Sequence, residues 1–359
     1  MKARDVAVQG VLAGVALVAA FFVWQREPSR APGEVTVEDA QASALDRIRY
    51  DEETRFVELF RDPQDRDTIW VRLGNKPAKP GTGPGATDGG VAQSELGDAG
   101  ADAGSIATMG TDAGTPASPA PVPPPRELRG NDVALKLFSR FAPLRAQRDL
   151  GVLDDKKLDE IGLAKTERGL TLTLDGTPRT FRLATPASGW GAPYLQRASD
   201  GHVFLLGPAL LPDLEAASSR LVDRRLHTFD VDGFDRIVIS SGTRSRTFVA
   251  SGKPPGAVQL SPVDAPGTPD DFARNWHDRL WRLTPVELLG RGEALPGPAP
   301  TPAFRVEYQR GGKAVGELSM AKTPDGSWYA RTEFTPGWVR MGGGLELLAE
   351  DAAKLTAPR

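Results

Sequence analysis

The chain has 359 residues, a formal net charge of -3, 40% hydrophobic and 25% charged residues, and no cysteine. Its length allows two domains, and the apolar content is enough for a sizeable core. The lack of cysteine excludes disulfides, thiolate metal sites and thiol catalysis. Positive and negative charges nearly balance, so the sequence shows no basic patch of the kind that binds nucleic acid.

An apolar run at residues 6–24 follows Lys2 and Arg4. At about 1.5 Å per helical residue, the run just spans a hydrocarbon core of roughly 30 Å. The preceding cations favour a cytoplasmic position for residues 1–5. We therefore expect a single-pass protein of the bacterial inner membrane, anchored by residues 6–24, with its bulk in the periplasm. A cleaved signal peptide is the alternative, although its apolar region would normally be shorter.

Residues 76–127 consist mainly of Gly, Ala, Pro, Asp, Ser and Thr. A segment with so few large apolar side chains cannot offset the entropy lost on ordering. The composition therefore predicts a disordered tether or inserted loop with no chemistry of its own.

Strands and helices are predicted on both sides of this segment from the period of their apolar residues. Short strands are predicted at residues 46–50, 56–60 and 69–73. After the tether, the pattern predicts a helix at residues 133–142. It then predicts a strand at 170–174, the turn Asp175-Gly176, a strand through Phe181 and Leu183, and two more strands at 194–197 and 202–206. A helix is predicted to begin at Gly207, with Leu210, Leu214, Ala217 and Leu221 on one face.

The same order of elements recurs toward the C-terminus. Residues 234–237 repeat residues 45–48, and residues 304–308 alternate like 170–174. A helix at 271–283 is predicted with Phe272, Trp276, Leu280 and Leu283 inward, and a closing helix with Leu345, Leu348, Ala352 and Leu355 inward. We expect an α+β fold: one transmembrane helix, then two related modules of antiparallel sheet flanked by helices. Module one comprises residues 25–75 and 128–229, and module two residues 230–359. Chance similarity between two antiparallel meanders is the alternative.

No catalytic, cofactor or metal site is predicted. The three histidines, His202, His227 and His277, lack the spacing of a zinc motif, so the fold alone would have to assemble a metal site or a catalytic triad. Each is expected to be a structural histidine, and the pair His277-Asp278 is the best fragment for a hydrolase.

Two groups of residues are candidates for binding. Arg224 and Arg225 follow a predicted helix. They either bind the carboxylates of an acidic partner protein or form local ion pairs with Asp223 or Asp230. The second group is aromatic and would stack on glycan if its members shared an exposed face, although alternating strands usually bury such side chains. Its members are Trp190, Tyr194, Trp328, Tyr329 and Trp338.

Several short motifs resemble the bacterial domain-of-unknown-function 4340 family. They are the anchor at 6–24, Asp46-Arg47-Ile48, Ile161-Gly162-Leu163, Pro193-Tyr194-Leu195, and the stretches at residues 221–229 and 234–239. The resemblance implies a single-anchor envelope protein without established catalytic activity, often encoded beside ABC-2-type permeases and gliding-type accessory proteins. It supplies no catalytic residues.

The function expected from these features is that of a non-enzymatic accessory subunit of an envelope ABC-type transport or gliding-type complex. Such a subunit acts by protein–protein contacts, with an inner-membrane transporter permease or companion envelope proteins as its partners. An envelope polysaccharide or cell-wall binding module is the first alternative, and a hydrolase is the second.

Overall fold

The computed structural model describes residues 34–77, 122–186, 191–207, 209–252 and 258–358. These residues form an α+β fold of mostly antiparallel sheet with few helices. The strands are β1 (Val35–Glu38), β2 (Leu45–Asp51), β3 (Arg55–Arg61), β4 (Ile69–Asn75), β5 (Arg126–Arg129), β6 (Leu144–Ala146), β7 (Arg148–Val152), β8 (Gly169–Leu174), β9 (Thr177–Ala184), β10 (Tyr194–Arg197), β11 (His202–Leu205), β12 (Arg236–Ser241), β13 (Arg244–Ser251), β14 (Gln259–Pro262), β15 (Pro285–Leu288), β16 (Thr301–Arg310), β17 (Lys313–Lys322), β18 (Trp328–Thr332) and β19 (Val339–Met341). The helices are α1 (Asp132–Phe141), α2 (Asp155–Glu160), α3 (Pro212–Glu215), α4 (Ala217–Arg220), α5 (Asp271–Trp281) and α6 (Glu346–Leu355).

The strands form two large sheets and one ribbon. The larger sheet has the order β5-β4-β3-β2-β8-β9-β10-β11-β7, the second has the order β14-β13-β12-β16-β17-β18-β19-β15, and β1 pairs with β6 in the ribbon. Tight hairpins join many neighbouring strands. Between β8 and β9, for example, Asp175 and Gly176 adopt φ of 45° and 75°, which suits the two central positions of a type I′ turn.

The chain divides into two compact units. Of the described residues, those within 34–48 and 135–216 form unit 1 and those within 49–134 and 217–358 form unit 2, so the division falls inside β2. In unit 1, Leu45, Leu137, Phe138 and Leu172 are at most 1% exposed and belong to the core. The short helix α2 is started by Asp154, whose carboxylate accepts a hydrogen bond from the Lys157 N–H.

The core of unit 2 lies where α5 and α6 pack together beside the second sheet. Trp276 of α5 is 0% exposed, and its ring meets that of Phe304 edge-on at 5.6 Å between centroids. The Trp276 Nε1 donates a 2.8 Å hydrogen bond to the Leu348 carbonyl of α6. Asp270 begins α5, since its Oδ1 accepts from the Ala273 N–H at 3.0 Å.

Most elements follow the predicted periodicity. The strands predicted at residues 46–50, 56–60, 69–73 and 170–174 are confirmed as β2, β3, β4 and β8. The helix predicted at 133–142 is confirmed as α1, and its apolar side chains Ala134, Leu137, Phe138 and Phe141 are at most 1% exposed. The closing helix is confirmed as α6, with all four predicted inward side chains buried.

Three details of the prediction are wrong. The single helix after Gly207 is replaced by the four-residue helices α3 and α4, because Pro212 starts the first and Ala216 between them leaves the helical region at φ -108° and ψ 32°. Phe272 does not point inward: it is 43% exposed in the first turn of α5. The predicted tether also ends too late, since β5 begins at Arg126 and pairs with β4.

The predicted anchor at residues 6–24 lies outside the described residues, as do residues 78–121 of the predicted tether. In the part of the chain that the structure describes, no helix has the length and apolar character needed to cross a membrane.

Candidate functional site

The predicted contact residues Arg224 and Arg225 lie in unit 2, between α4 and β12. Arg225 donates to both oxygens of the buried Asp223 carboxylate, with Nη2 2.6 Å from Oδ2 and Nε 3.1 Å from Oδ1. This hydrogen bonding raises the pKa of the Arg225 guanidinium above its ordinary value. Arg224 is exposed, and its Nη2 lies 3.4 Å from the Ser218 carbonyl oxygen. Both guanidinium groups are exposed, but that of Arg225 is bound to Asp223 and orders its own segment.

Arg225 also ends a stack of alternating guanidinium groups and aromatic rings within unit 2. Its guanidinium carbon lies 5.3 Å from the centre of the Phe334 ring, and that of Arg129 lies 4.6 Å from the same ring. Arg129 continues to Trp70 at 5.7 Å, and Arg291 lies 4.8 Å from the Trp70 ring. Cations over aromatic faces stabilise such packing. No local sequence pattern indicates this stack, because its members come from distant parts of the chain.

The candidate glycan-stacking residues do not share one state of exposure. Trp328 and Tyr329 are buried in β18, at 3% and 4% exposure. Tyr194 and Trp338 are half-buried, and Trp190 lies outside the described residues. A ring at a few per cent exposure has no free face for a sugar, so in this structure Trp328 and Tyr329 serve as core residues.

The three histidines have three different surroundings. His202, on β11 in unit 1, is partly exposed, and its Nδ1 lies 3.4 Å from Asp149 Oδ2. In unit 2, His227 has a side chain only 7% exposed, with Nδ1 3.1 Å from Glu333 Oε1. His277 of α5 is 1% exposed, and neither ring nitrogen has a hydrogen-bond partner.

His227 and His277 belong to one aromatic cluster in unit 2. His227 is stacked on Trp281 with 5.1 Å between ring centroids and 11° between planes. His277 lies 5.7 Å from the same Trp281 ring and 5.9 Å from Tyr308. The members of the cluster are His227, Phe229, Phe234, His277, Trp281 and Tyr308.

Burial perturbs the pKa values of His277 and Tyr308 in this cluster. Burial, with the positive charge of protonated His227 adding to it, lowers the pKa of His277 from 6.5 to about 4. Burial and the nearby Glu333 raise the pKa of the Tyr308 phenol, whose oxygen is buried without a hydrogen-bond partner. Although burial opposes ionisation of Glu333, hydrogen bonds from His227 and from the Glu317 N–H keep its pKa below the ordinary value.

These surroundings favour the neutral form of His277 and the charged form of Glu333. His227 and Glu333 are 106 residues apart in the chain, and Tyr308 comes from yet another strand, so no local motif could have indicated the cluster. Among the described residues, no group of three or more His, Cys, Asp or Glu side chains is arranged to hold a metal ion.

An open cleft of about 1380 Å³ lies within unit 1. Its walls are the β1-β6 ribbon with the following turn, the C-terminal end of α1, the β8-β9 hairpin and the segment before α3. Charged side chains of both signs line it: Arg179 pairs with Glu38 at 3.2 Å, and Arg145 approaches Glu34 at 3.7 Å. In the part of the chain that the structure describes, none of the residues lining the cleft is aromatic.

The fold and these two sites define an α+β protein of two large antiparallel sheets, with a polar cleft in unit 1 and a buried histidine-aromatic cluster in unit 2. A comparison with protein-family models found no match, and comparisons with curated proteins and with solved structures found none either.

Proposed function

We propose that this protein is a non-enzymatic, membrane-anchored accessory subunit of an envelope ABC-type transport or gliding-type complex, acting by protein–protein contacts. The polar cleft of unit 1 is the observation that carries this proposal, and a polypeptide segment of a permease or companion envelope protein is its proposed occupant. The inner-membrane location rests on the apolar run at residues 6–24 and on the resemblance to the domain-of-unknown-function 4340 family.

The size and lining of the cleft favour a polypeptide over a small molecule or a glycan. Its volume of about 1380 Å³ exceeds the roughly 300–1,000 Å³ of ordinary small-molecule pockets, which are mostly apolar. Glycan sites stack sugars on aromatic rings, and among the described residues no aromatic side chain lines this cleft. Carboxylates, guanidinium groups and amides on its walls suit the charges and backbone groups of a peptide.

The ion pairs of the cleft are well placed to exchange partners. The Arg179 side chain is 49% exposed, and Arg145 lies 3.7 Å from Glu34, a long distance for a salt bridge. The two carboxylates are less exposed, Glu38 at 19% and Glu34 at 28%. A partner segment that brings its own carboxylates to Arg179 or Arg145 would exchange one ion pair for another and keep both guanidinium groups paired.

We also propose that the two large sheets are related modules. The strands β4-β3-β2-β8-β9-β10-β11-β7 and the strands β14-β13-β12-β16-β17-β18-β19-β15 follow one another in the same relative order. Arg140, ninth in α1, pairs with Asp213, and Arg279, ninth in α5, pairs with Asp351. If the two sheets are related, the β1-β6 ribbon is an addition to the strand arrangement that they share, and this ribbon forms one wall of the cleft.

Single-cysteine crosslinking tests the proposal, because the natural chain has no cysteine. Thr177→Cys places a thiol in the cleft, and Thr243→Cys places one on an exposed turn of unit 2 as the matched control. Each variant is coupled to a photoreactive maleimide in native membranes, irradiated and analysed by mass spectrometry. We expect the Thr177 variant, and not the Thr243 variant, to capture a transporter permease or companion envelope protein.

Capture of the same proteins from both positions, or of none from Thr177, would contradict the proposed role of the cleft. Recovery of cell-wall glycan from Thr177 would favour the polysaccharide-binding alternative instead. The same variants test the membrane topology. If the bulk is periplasmic, a membrane-impermeant maleimide labels both thiols in cells whose outer membrane alone has been permeabilised.

A further inference from the structure

His277 is a buried polar side chain in a position that does not require one. It is 1% exposed, and neither Nδ1 nor Nε2 has a hydrogen-bond partner. Its ring meets Phe234 at 5.4 Å and Trp281 at 5.7 Å between centroids. Leaving buried polar atoms without partners costs free energy, so a histidine is a costly way to fill this space.

Helix α1 has an apolar residue at the position that corresponds to His277 in α5. His277 is the seventh residue of α5, and Phe138 is the seventh residue of α1. Phe138 is also 1% exposed. An aromatic hydrocarbon therefore fills the core at this position of α1, whereas the ring of His277 in α5 also carries a group that can bind a proton.

The charged groups around His277 do not prepare it for a positive charge. His227 faces it from the segment before β12, and Tyr308 faces it from β16. Glu333 follows β18 and accepts hydrogen bonds from His227 and from backbone N–H groups. From α6, Asp351 is bound by Arg279 and Lys354. The packed strand β14 has the sequence QLSP and contributes no titratable side chain.

We propose that this cluster is an acid-sensitive lock on unit 2, in which proton binding by His277 loosens the packing of α5. At neutral pH the His277 imidazole is uncharged and packs within the aromatic cluster. When it gains a proton, the charge is buried between rings without a carboxylate of its own, and the helix must move to expose it to water. The lock is independent of what occupies the cleft of unit 1.

The direction of the pH effect follows from the two pKa values. The native value is about 4 and the ordinary value is 6.5, so between these the unfolded chain binds more protons than the native one. The stability that unit 2 gains from keeping His277 neutral is fully present above pH 6.5 and is lost as the pH falls toward 4. At pH 5, His277 alone is expected to reduce the folding equilibrium constant of unit 2 about thirty-fold.

Amide hydrogen exchange of the full-length protein tests the lock. Protection factors for peptides covering residues 271–281 are compared at pH 7.5 and pH 5.0 in the wild type and in His277→Phe, which copies the residue found in α1. We expect the wild type to lose about thirty-fold more protection on acidification than the variant. His202→Asn, which removes a partly exposed histidine of unit 1, is the matched control and should behave as the wild type does.

An equal loss of protection in wild type and His277→Phe would overturn the proposal. A second measurement does not depend on that variant folding: the ring carbons of the three histidines are titrated by NMR in the wild type, with His202→Asn and His227→Asn assigning the signals by elimination. His277 should remain neutral down to about pH 5, and a midpoint near 6.5 would equally overturn the proposal.

Discussion

Arg279 of α5 and Asp351 of α6 are joined by an ion pair with Nη2 and Oδ2 2.6 Å apart. The Asp351 side chain is only 13% exposed, although it lies on a helix whose other charged residues face water. The hydrogen bond from Arg279 is the main reason that the pKa of Asp351 lies below its ordinary value, and Lys354 adds to it. The pair fixes α6 on α5, next to the hydrogen bond from Trp276 to Leu348.

Arg279→Ala should reduce the free energy of unfolding by about 1 kcal/mol, because the guanidinium is half-exposed while the carboxylate is not. Arg282→Ala, at the end of the same helix, removes an exposed arginine and should change it by less than about 0.5 kcal/mol. Urea unfolding followed by circular dichroism measures both. Since the native pKa of Asp351 is lowered, the effect should be present at neutral pH and vanish as the pH falls below 3.8. Equal losses in both variants would contradict this role.

Much of the fold could be predicted because its signal is local. The alternation of leucines at residues 170–174 and the apolar stripe of Ala134, Leu137, Phe138 and Phe141 indicate elements by period alone. The ribbon of β1 and β6 could not be found in this way. Its strands have four and three residues, and its pairing joins Val35 to Ala146, which are far apart in the chain.

The sites were less predictable than the fold. Asp223 was correctly named as a local partner for Arg225 because it is two residues away. Glu333 and His227, by contrast, meet only after the second sheet has formed, and so do the arginines that stack on Trp70 and Phe334. Phe272 shows the opposite error: a helical period places it inward, but the first turn of α5 extends beyond the core.

Trp276→Ala should cost about 3–5 kcal/mol of stability, because it empties a large buried site and removes the donor to the Leu348 carbonyl. Phe272→Ala on the same helix should cost about 1 kcal/mol or less, since that ring is 43% exposed. Thermal unfolding of the two variants measures the contrast. A similar decrease in Tm for both would show that α5 is not packed as described.

Arg72 neutralises the buried carboxylate of Glu58, with Nη1 2.5 Å from Oε2, and also binds Glu127. Arg72→Met should cost about 1–3 kcal/mol at neutral pH, because the Glu58 carboxylate, in a residue 2% exposed, then loses one of its charged hydrogen-bond donors. The double variant Arg72→Met, Glu58→Leu should recover part of the loss. Arg55→Met is the control, since Arg55 pairs with Glu52 at the surface and should cost less than about 1 kcal/mol.

Denaturant unfolding of these three variants separates the contributions. If the double variant is as unstable as Arg72→Met, the loss comes from packing of the arginine against Phe60, 4.8 Å from its guanidinium carbon, and not from the buried charge.

Gly316 of β17 lies opposite Tyr308 in the sheet and leaves room for the histidine-aromatic cluster. A Cβ at this position would overlap the Phe229 ring and lie 2.7 Å from Glu333 Oε2. The Phe229 ring packs against the rings of His227, Trp281 and Tyr308, so it cannot swing aside freely. Gly316→Ala should therefore cost about 1–3 kcal/mol through overpacking.

Gly342→Ala is the matched control for this substitution, because no atom lies within 4 Å of its added Cβ. That change should be neutral or stabilise the protein by up to about 1 kcal/mol, since alanine restricts the unfolded chain. Urea unfolding at pH 7.5 compares the two. Moving Glu333 away from His227 should also raise the pKa of Glu333 toward its ordinary value, which NMR of the labelled carboxylate would detect. If Gly316→Ala is no less stable than Gly342→Ala, the close packing of Phe229 and Glu333 over β17 is wrong.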